Sequence, residues 1–142
     1  MATLGNVTFY ADDPVALSHF WAGVFGYPPA TFEGELKAQL LASGLTEDDL
    51  SKRGLAQDPT GEGPRLFFHH ADSPKTARNR IHLDINTVKG RRPSREEFEA
   101  EKDRIVSLGA RVVRLVEQEW GPWPELYYQM QDPEGNEFCL QG

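Results

Sequence analysis

Cysteine is nearly absent from this 142-residue chain, Cys139 being the only one. No disulfide can form within the chain, and a metal centre built mainly of thiolates is excluded. Basic residues are also scarce: 15 Lys and Arg stand against 22 Asp and Glu, for a formal charge of −7 and a pI near 5.1. Nucleic acid and anionic membrane surfaces require clustered Lys and Arg, so neither is expected as a partner. The acidic balance is compatible with a cationic ligand, although solubility alone accounts for most acidic surfaces. No apolar run approaches the length needed to span a bilayer. Met1 to Gly5 lack a basic region followed by an apolar stretch, so no secretion signal is expected and the chain reads as cytoplasmic. Glycine-rich phosphate cradles and Ser-His-Asp spacing are missing too.

What remains is an ordinary globular composition, 39% apolar and 11% aromatic, at a length suited to one domain with a real core. Leu4 to Tyr10 suits a strand. Asp12-Asp13-Pro14 then offers an N-cap and a proline for the first helical turn. Leu17, Phe20, Trp21 and Val24 follow at i, i+3, i+4, i+7, the stripe of an amphipathic helix that Gly26 and Pro28-Pro29 would end. Leu36, Leu40 and Leu41 predict a short helix closed by Gly44, and Thr46 with Asp49 forms a capping-box pattern for another through Leu50. Together with the turn-rich Asp58 to Pro64, residues 30–63 read as an insertion or lid flap outside the core. Arg65 to His70 and Arg80 to Ile85 read as strands. Ser94 with Glu97 opens a helix to about Leu108, with Phe98, Ile105 and Leu108 facing inward and Gly109 closing it. Arg111 to Val116, Leu126 to Gln131 and Glu137 to Gln141 complete the strands, the last two joined by a tight turn at 132–136. Both halves repeat a strand–helix–strands order.

Certain stretches carry a family likeness. Asn6 to Pro14, His19-Phe20-Trp21 and Phe25-Gly26-Tyr27 resemble the first βα unit of the vicinal oxygen chelate superfamily, which includes glyoxalase I, extradiol dioxygenases, fosfomycin-modifying enzymes and bleomycin-binding proteins. Asn79 to Asp84, Ser107 to Ala110 and Asp132 to Leu140 resemble its second unit, and Asn79 to Asp84 with Asn136 to Cys139 is similar to a glyoxalase-like branch. The likeness covers the chain except about 30–63. It implies an α+β fold of two βαβββ modules, forming a curled mixed sheet around a central cleft. One glyoxalase-like domain would span 1–142: module one at about 1–75 with a helical insertion at about 30–63, and module two at about 76–142. Relatives are often homodimers, and the resemblance implies one here.

The same resemblance implies where a metal would sit, because family sites take one residue, usually His, Glu or Gln, from the first and last strand of each module. Those places fall on Asn6, near Phe67, on His82 and on Cys139. Only His82 is an ordinary ligand. Phe67 cannot coordinate, Asn6 offers a weak amide oxygen, and no charge in this stretch marks Cys139 as a thiolate. One imidazole with weak partners falls short of the three protein ligands of a catalytic zinc, so a divalent metal stays open but is not favoured, no other cofactor is indicated, and no ligand set is assigned. His69, on the same strand face as Phe67, is the residue that would supply His82 with a second imidazole.

His82 and Asp84, two apart on one strand, share a face, and the resemblance puts a functional residue at the former. They form a candidate catalytic pair, a carboxylate holding a ligand or imidazole while His82 exchanges a proton. The alternative is a hydrogen-bonded core histidine beside a loop-capping aspartate. Trp120 to Pro124 with Tyr127 and Tyr128 is the densest aromatic cluster, and Trp123 is the candidate for stacking on a ligand unless it covers core or an interface. His19 and one of His69-His70 are expected at the surface. The expected ligand-binding set is therefore Asn6, Phe67, His69, Trp123 and Cys139. The resemblance implies a protein holding a small organic molecule in a cleft without the usual metal. Its alternative is a metal-dependent or His82/Asp84-assisted lyase, isomerase or dioxygenase of the same superfamily.

Overall fold

A computed structural model describes residues 1–142, which divide into two compact units, Met1–Pro74 and Lys75–Gly142. In the first unit β1 (Asn6–Ala11) leads into α1 (Pro14–Phe25). Asp13 caps that helix by accepting from the Ala16 N–H at 3.0 Å, Pro14 occupies its first turn, and Gly26 ends it at φ 70°. The expected stripe is the buried one: Leu17, Phe20, Trp21 and Val24 are all removed from solvent. Then come α2 (Gly34–Ala42), α3 (Glu47–Ser51), β2 (Arg53–Ala56) and β3 (Arg65–His70). The strands form one sheet in the order β1-β3-β2, with β1 parallel and β2 antiparallel to β3.

β2 corrects the reading of 30–63 as wholly outside the core. Gly54 and Ala56 are buried, and a methyl group on Gly54 would stand 2.2 Å from the Pro14 carbonyl oxygen and 2.8 Å from Ser18 Cβ. The strand is therefore clamped to α1, and glycine is there because backbone meets backbone. The two expected helices do form, α3 with both capping-box hydrogen bonds of Thr46 and Asp49 in place. They stand where the second unit has its second strand. α2 fully buries no residue, so packing adds little to its stability.

The second unit runs β4 (Leu83–Asn86), α4 (Arg95–Ser107), β5 (Arg111–Trp120), β6 (Trp123–Gln131) and β7 (Glu137–Gln141), in sheet order β4-β7-β6-β5. β4 is parallel to β7, and the other pairs are antiparallel. The first strand pairs in parallel with the last in both units, so β1 and β4 are equivalent. Two boundaries differ from expectation. The ladder of β4 begins only at Leu83, paired with Phe138, because upstream the Asn79 N–H goes to the Glu137 side chain and Ile81 points to solvent. β5 and β6 extend through the expected aromatic loop to a two-residue turn, where Gly121 at φ 60° supplies the conformation a tight hairpin needs and Trp120 pairs with Trp123. Ser94 and Glu97 do cap α4, and Phe98 and Ile105 are fully buried, whereas Leu108, the C-cap beyond the last turn, remains 39% exposed. The strands make two separate sheets of mixed strand direction, each with one helix across one face.

The clamp at β2 gives a direct check. Gly54→Ala should destabilise the protein by about 2–3 kcal/mol, because the overpacked atom is backbone and cannot rotate away. Urea unfolding measures it, and an unchanged midpoint would mean that β2 does not press on α1.

Candidate functional site

In the second unit α4 covers the face carrying Tyr128: Phe98 stacks on that ring at 4.9 Å, and the phenol donates to Glu99 at 2.8 Å. The opposite face is set by register, which aligns Asp84 with Cys139, Cys139 with Gln129 and Gln129 with Arg114. These four residues form a row across all four strands. Arg114 Nε donates to Gln129 Oε1 at 2.7 Å. At the β4 end His82, just before the strand, places Nε2 3.1 Å from Asp84 Oδ1, so the expected pair does meet. Its side chain is 41% exposed, which rules out the core-histidine alternative. A neutral ring that donates from Nε2 presents Nδ1 as an acceptor.

Cys139 joins this pair across the ladder. Burial, and then the negative charge of Asp84 to which it hydrogen-bonds, push its thiol up to about 11 against the pull of Arg78 and Arg114. It is therefore a thiol at neutral pH and a weak nucleophile. The open-mouthed pocket beside it, about 230 Å³, is lined by Arg78, His82, Val113, Gln129, Glu137 and Cys139 among others. Desolvation raises Glu137, but the Asn79 N–H at 2.9 Å and Lys75 at 3.1 Å outweigh it and hold the carboxyl below its ordinary value.

The remaining expected residues lie elsewhere. Asn6, Phe67 and His69 are on the face of the first sheet turned away from α1, where Asn6 Oδ1 accepts from Arg65 Nε at 3.2 Å. His69 Nδ1 lies 3.3 Å from an Arg53 guanidinium nitrogen. Trp123 stacks on Trp120 at 5.4 Å at the β5–β6 tip, 60% exposed, and does not line the pocket. His19 and His70 are exposed. Sequence reasoning missed Arg78, in the loop four residues before His82, and Gln129, which only the β6–β7 register brings near it.

The metal set that the family resemblance implies does not fit these residues. Phe67 has no donor atom, and the amide oxygen of Asn6 is already turned to a guanidinium.

The thiol yields a prediction with a definite sign. An unfolded cysteine loses its proton near 9 and the folded one near 11. Between those values the native state binds more protons than the unfolded state, so this group's contribution to stability falls as pH rises through that window. Cys139→Ala should flatten that part of the stability–pH curve. In the native protein, thiolate absorbance should appear only near pH 11. A thiolate already present at pH 8 would refute this environment.

Comparison with known proteins bears on the whole arrangement. No curated protein matches the chain. Among solved structures, a glyoxalase/bleomycin resistance protein/dioxygenase family enzyme from Burkholderia phytofirmans PsJN superposes with a TM-score of 0.65 at 16% identity, over 98% of this chain and 97% of that one. A glyoxalase-related enzyme from Fulvimarina pelagi gives 0.63 at 17%, over 99% and 88%. A FosX fosfomycin resistance protein from Listeria monocytogenes, complexed with Mn(II) and 1S,2S-dihydroxypropylphosphonic acid, gives 0.60 at 17%, over 99% and 90%. At such identities these show the fold. The family model for the glyoxalase-like domain matches residues 6–141, and the chain belongs to that family.

Proposed function

We propose that this glyoxalase-like chain binds a small organic molecule against the open face of its second sheet, without the metal that family resemblance implies. The observation that carries the reading is the pocket lined by Arg78, His82, Gln129 and Cys139, in which cation, imidazole, amide and thiol converge. Its volume lies below the roughly 300–1,000 Å³ usual for drug-sized ligands, which suits a compact molecule or one end of a larger one. His82, oriented by Asp84, is the group that exchanges a proton with the ligand, and Cys139 contributes polarity and packing. Asn6, Phe67, His69 and Trp123 remain proposed ligand contacts outside this pocket. No helix is long and apolar enough to cross a membrane, and we place the protein in the cytoplasm.

A second reading is metal-dependent or His82/Asp84-assisted lyase, isomerase or dioxygenase chemistry. One observation favours a metal: donor atoms of His82, Asp84 and Cys139 lie within 4.8 Å of one another. Elemental analysis of protein purified without a histidine tag separates the two. Substoichiometric metal is expected, and stoichiometric zinc, iron, nickel or manganese would sink the metal-free reading.

Removing the imidazole tests the pocket. With His82 this exposed, His82→Ala should change stability by no more than about 0.5 kcal/mol. Thermal-shift responses to a small-molecule panel should meanwhile weaken. A large fall in melting temperature with unchanged responses would reject the assignment.

The proposal includes a homodimer. β5 is a ten-residue edge strand carrying exposed Val113, Leu115 and Trp120, a long template that a second copy would cover. Light scattering should give twice the 16.0 kDa of one chain at micromolar concentration, and a monomer mass would reject it.

A further inference from the structure

The first sheet has an open face of different chemistry. Register arranges it in three rows: Tyr10, His69 and Arg53 at one end, Thr8, Phe67 and Leu55 in the middle, Asn6 and Arg65 at the other. Rows two residues apart lie about 7 Å from each other along the strands. No acidic residue stands in any row. Arg53 and Arg65 are both exposed, and neither has a carboxylate partner. One faces the His69 ring at 3.3 Å, and the other donates to the Asn6 amide at 3.2 Å while its guanidinium lies 5.4 Å from the Phe67 centroid. Elsewhere Arg91, Arg95 and Arg104 are matched with glutamates. On this face the neutral partners orient the guanidiniums without cancelling their charge.

Each guanidinium has five donors in a planar fork and spends few of them here, so a carboxylate can be taken in two parallel hydrogen bonds. Between the arginines lie the Phe67 ring, nearly parallel to the His69 imidazole at 16° and 6.2 Å, and the Leu55 side chain. That floor accepts a flat apolar body. We infer that this face binds a planar aromatic carboxylate, its ring over the Phe67 strip and its acid group in the fork of Arg65 or Arg53. The inference rests on the proposed small-molecule reading, in which Asn6, Phe67 and His69 are ligand contacts, and names the ligand class for that face; none of its residues lines the second-unit pocket.

The test is titration of the full chain with 2-naphthoate, followed by the probe's fluorescence. Saturable binding is expected, weaker by about tenfold or more for the Arg53→Gln/Arg65→Gln double variant and for the neutral probe 2-naphthamide, and weakened by salt. An unfolding midpoint matching that of the parent would show the double variant intact. No saturable binding at millimolar probe, equal affinity for the amide, or an unaffected double variant would overturn the inference. So would binding lost in Arg78→Gln but kept in the double variant. That outcome puts the anion in the second-unit pocket and leaves the small-molecule reading standing.

Discussion

Each unit pairs its first strand with its last in parallel, β1 with β3 and β4 with β7. Two parallel neighbours cannot be joined by a hairpin, so the chain must cross one face of the sheet, and a helix makes the crossing. α1 covers Phe9, Phe68 and Gly54, while α4 covers Tyr128. Because side chains alternate along a strand, committing one face to the helix commits every second residue to the other. The open faces are therefore where polar residues collect: Asp84, Gln129 and Arg114 in one unit, Asn6, His69, Arg53 and Arg65 in the other. The chemistry of this protein follows from which face its helices leave bare.

Legibility in the sequence follows how local each cause is. The α1 stripe, the two capping boxes and the turn at Asp132 were readable because their signals lie within a few residues of their effects. β2 was not, since four residues, Arg53 to Ala56, are too few to show an alternating period, and Gly54 owes its place to α1, some forty positions away. The aromatic segment was read short of its strands because whether it ends them early or turns them at their tips depends on the pairing of Trp120 with Trp123. At the site, His82 and Asp84 could be matched by spacing alone. Cys139 reaches them only through the β4–β7 register, and Gln129 only through β6 beyond it.

Charge in this acidic chain is sorted by surface. Along α4, glutamates and arginines neutralise one another. Arg91 and the Ser94 N–H hold the Glu97 carboxyl down at about 2, and Arg95 and Arg104 bridge to neighbouring acids. On the open faces the arginines rest against amides and an imidazole, as Arg114 does on Gln129 and Arg65 on Asn6. A neutral acceptor fixes the direction of a guanidinium and leaves its field intact, so a protein of charge −7 can still offer locally cationic surfaces.

The same sorting decides which atom at the second-unit site carries negative charge. Arg78 and Arg114 pull the Cys139 proton off, while burial and the charge of Asp84 hold it on, and the second pair prevails. With the thiol holding its proton, Asp84 meets two partners at once, the sulfur across the β4–β7 ladder and the His82 Nε2 at 3.1 Å, and the cysteine needs no reaction at sulfur to take part in that contact.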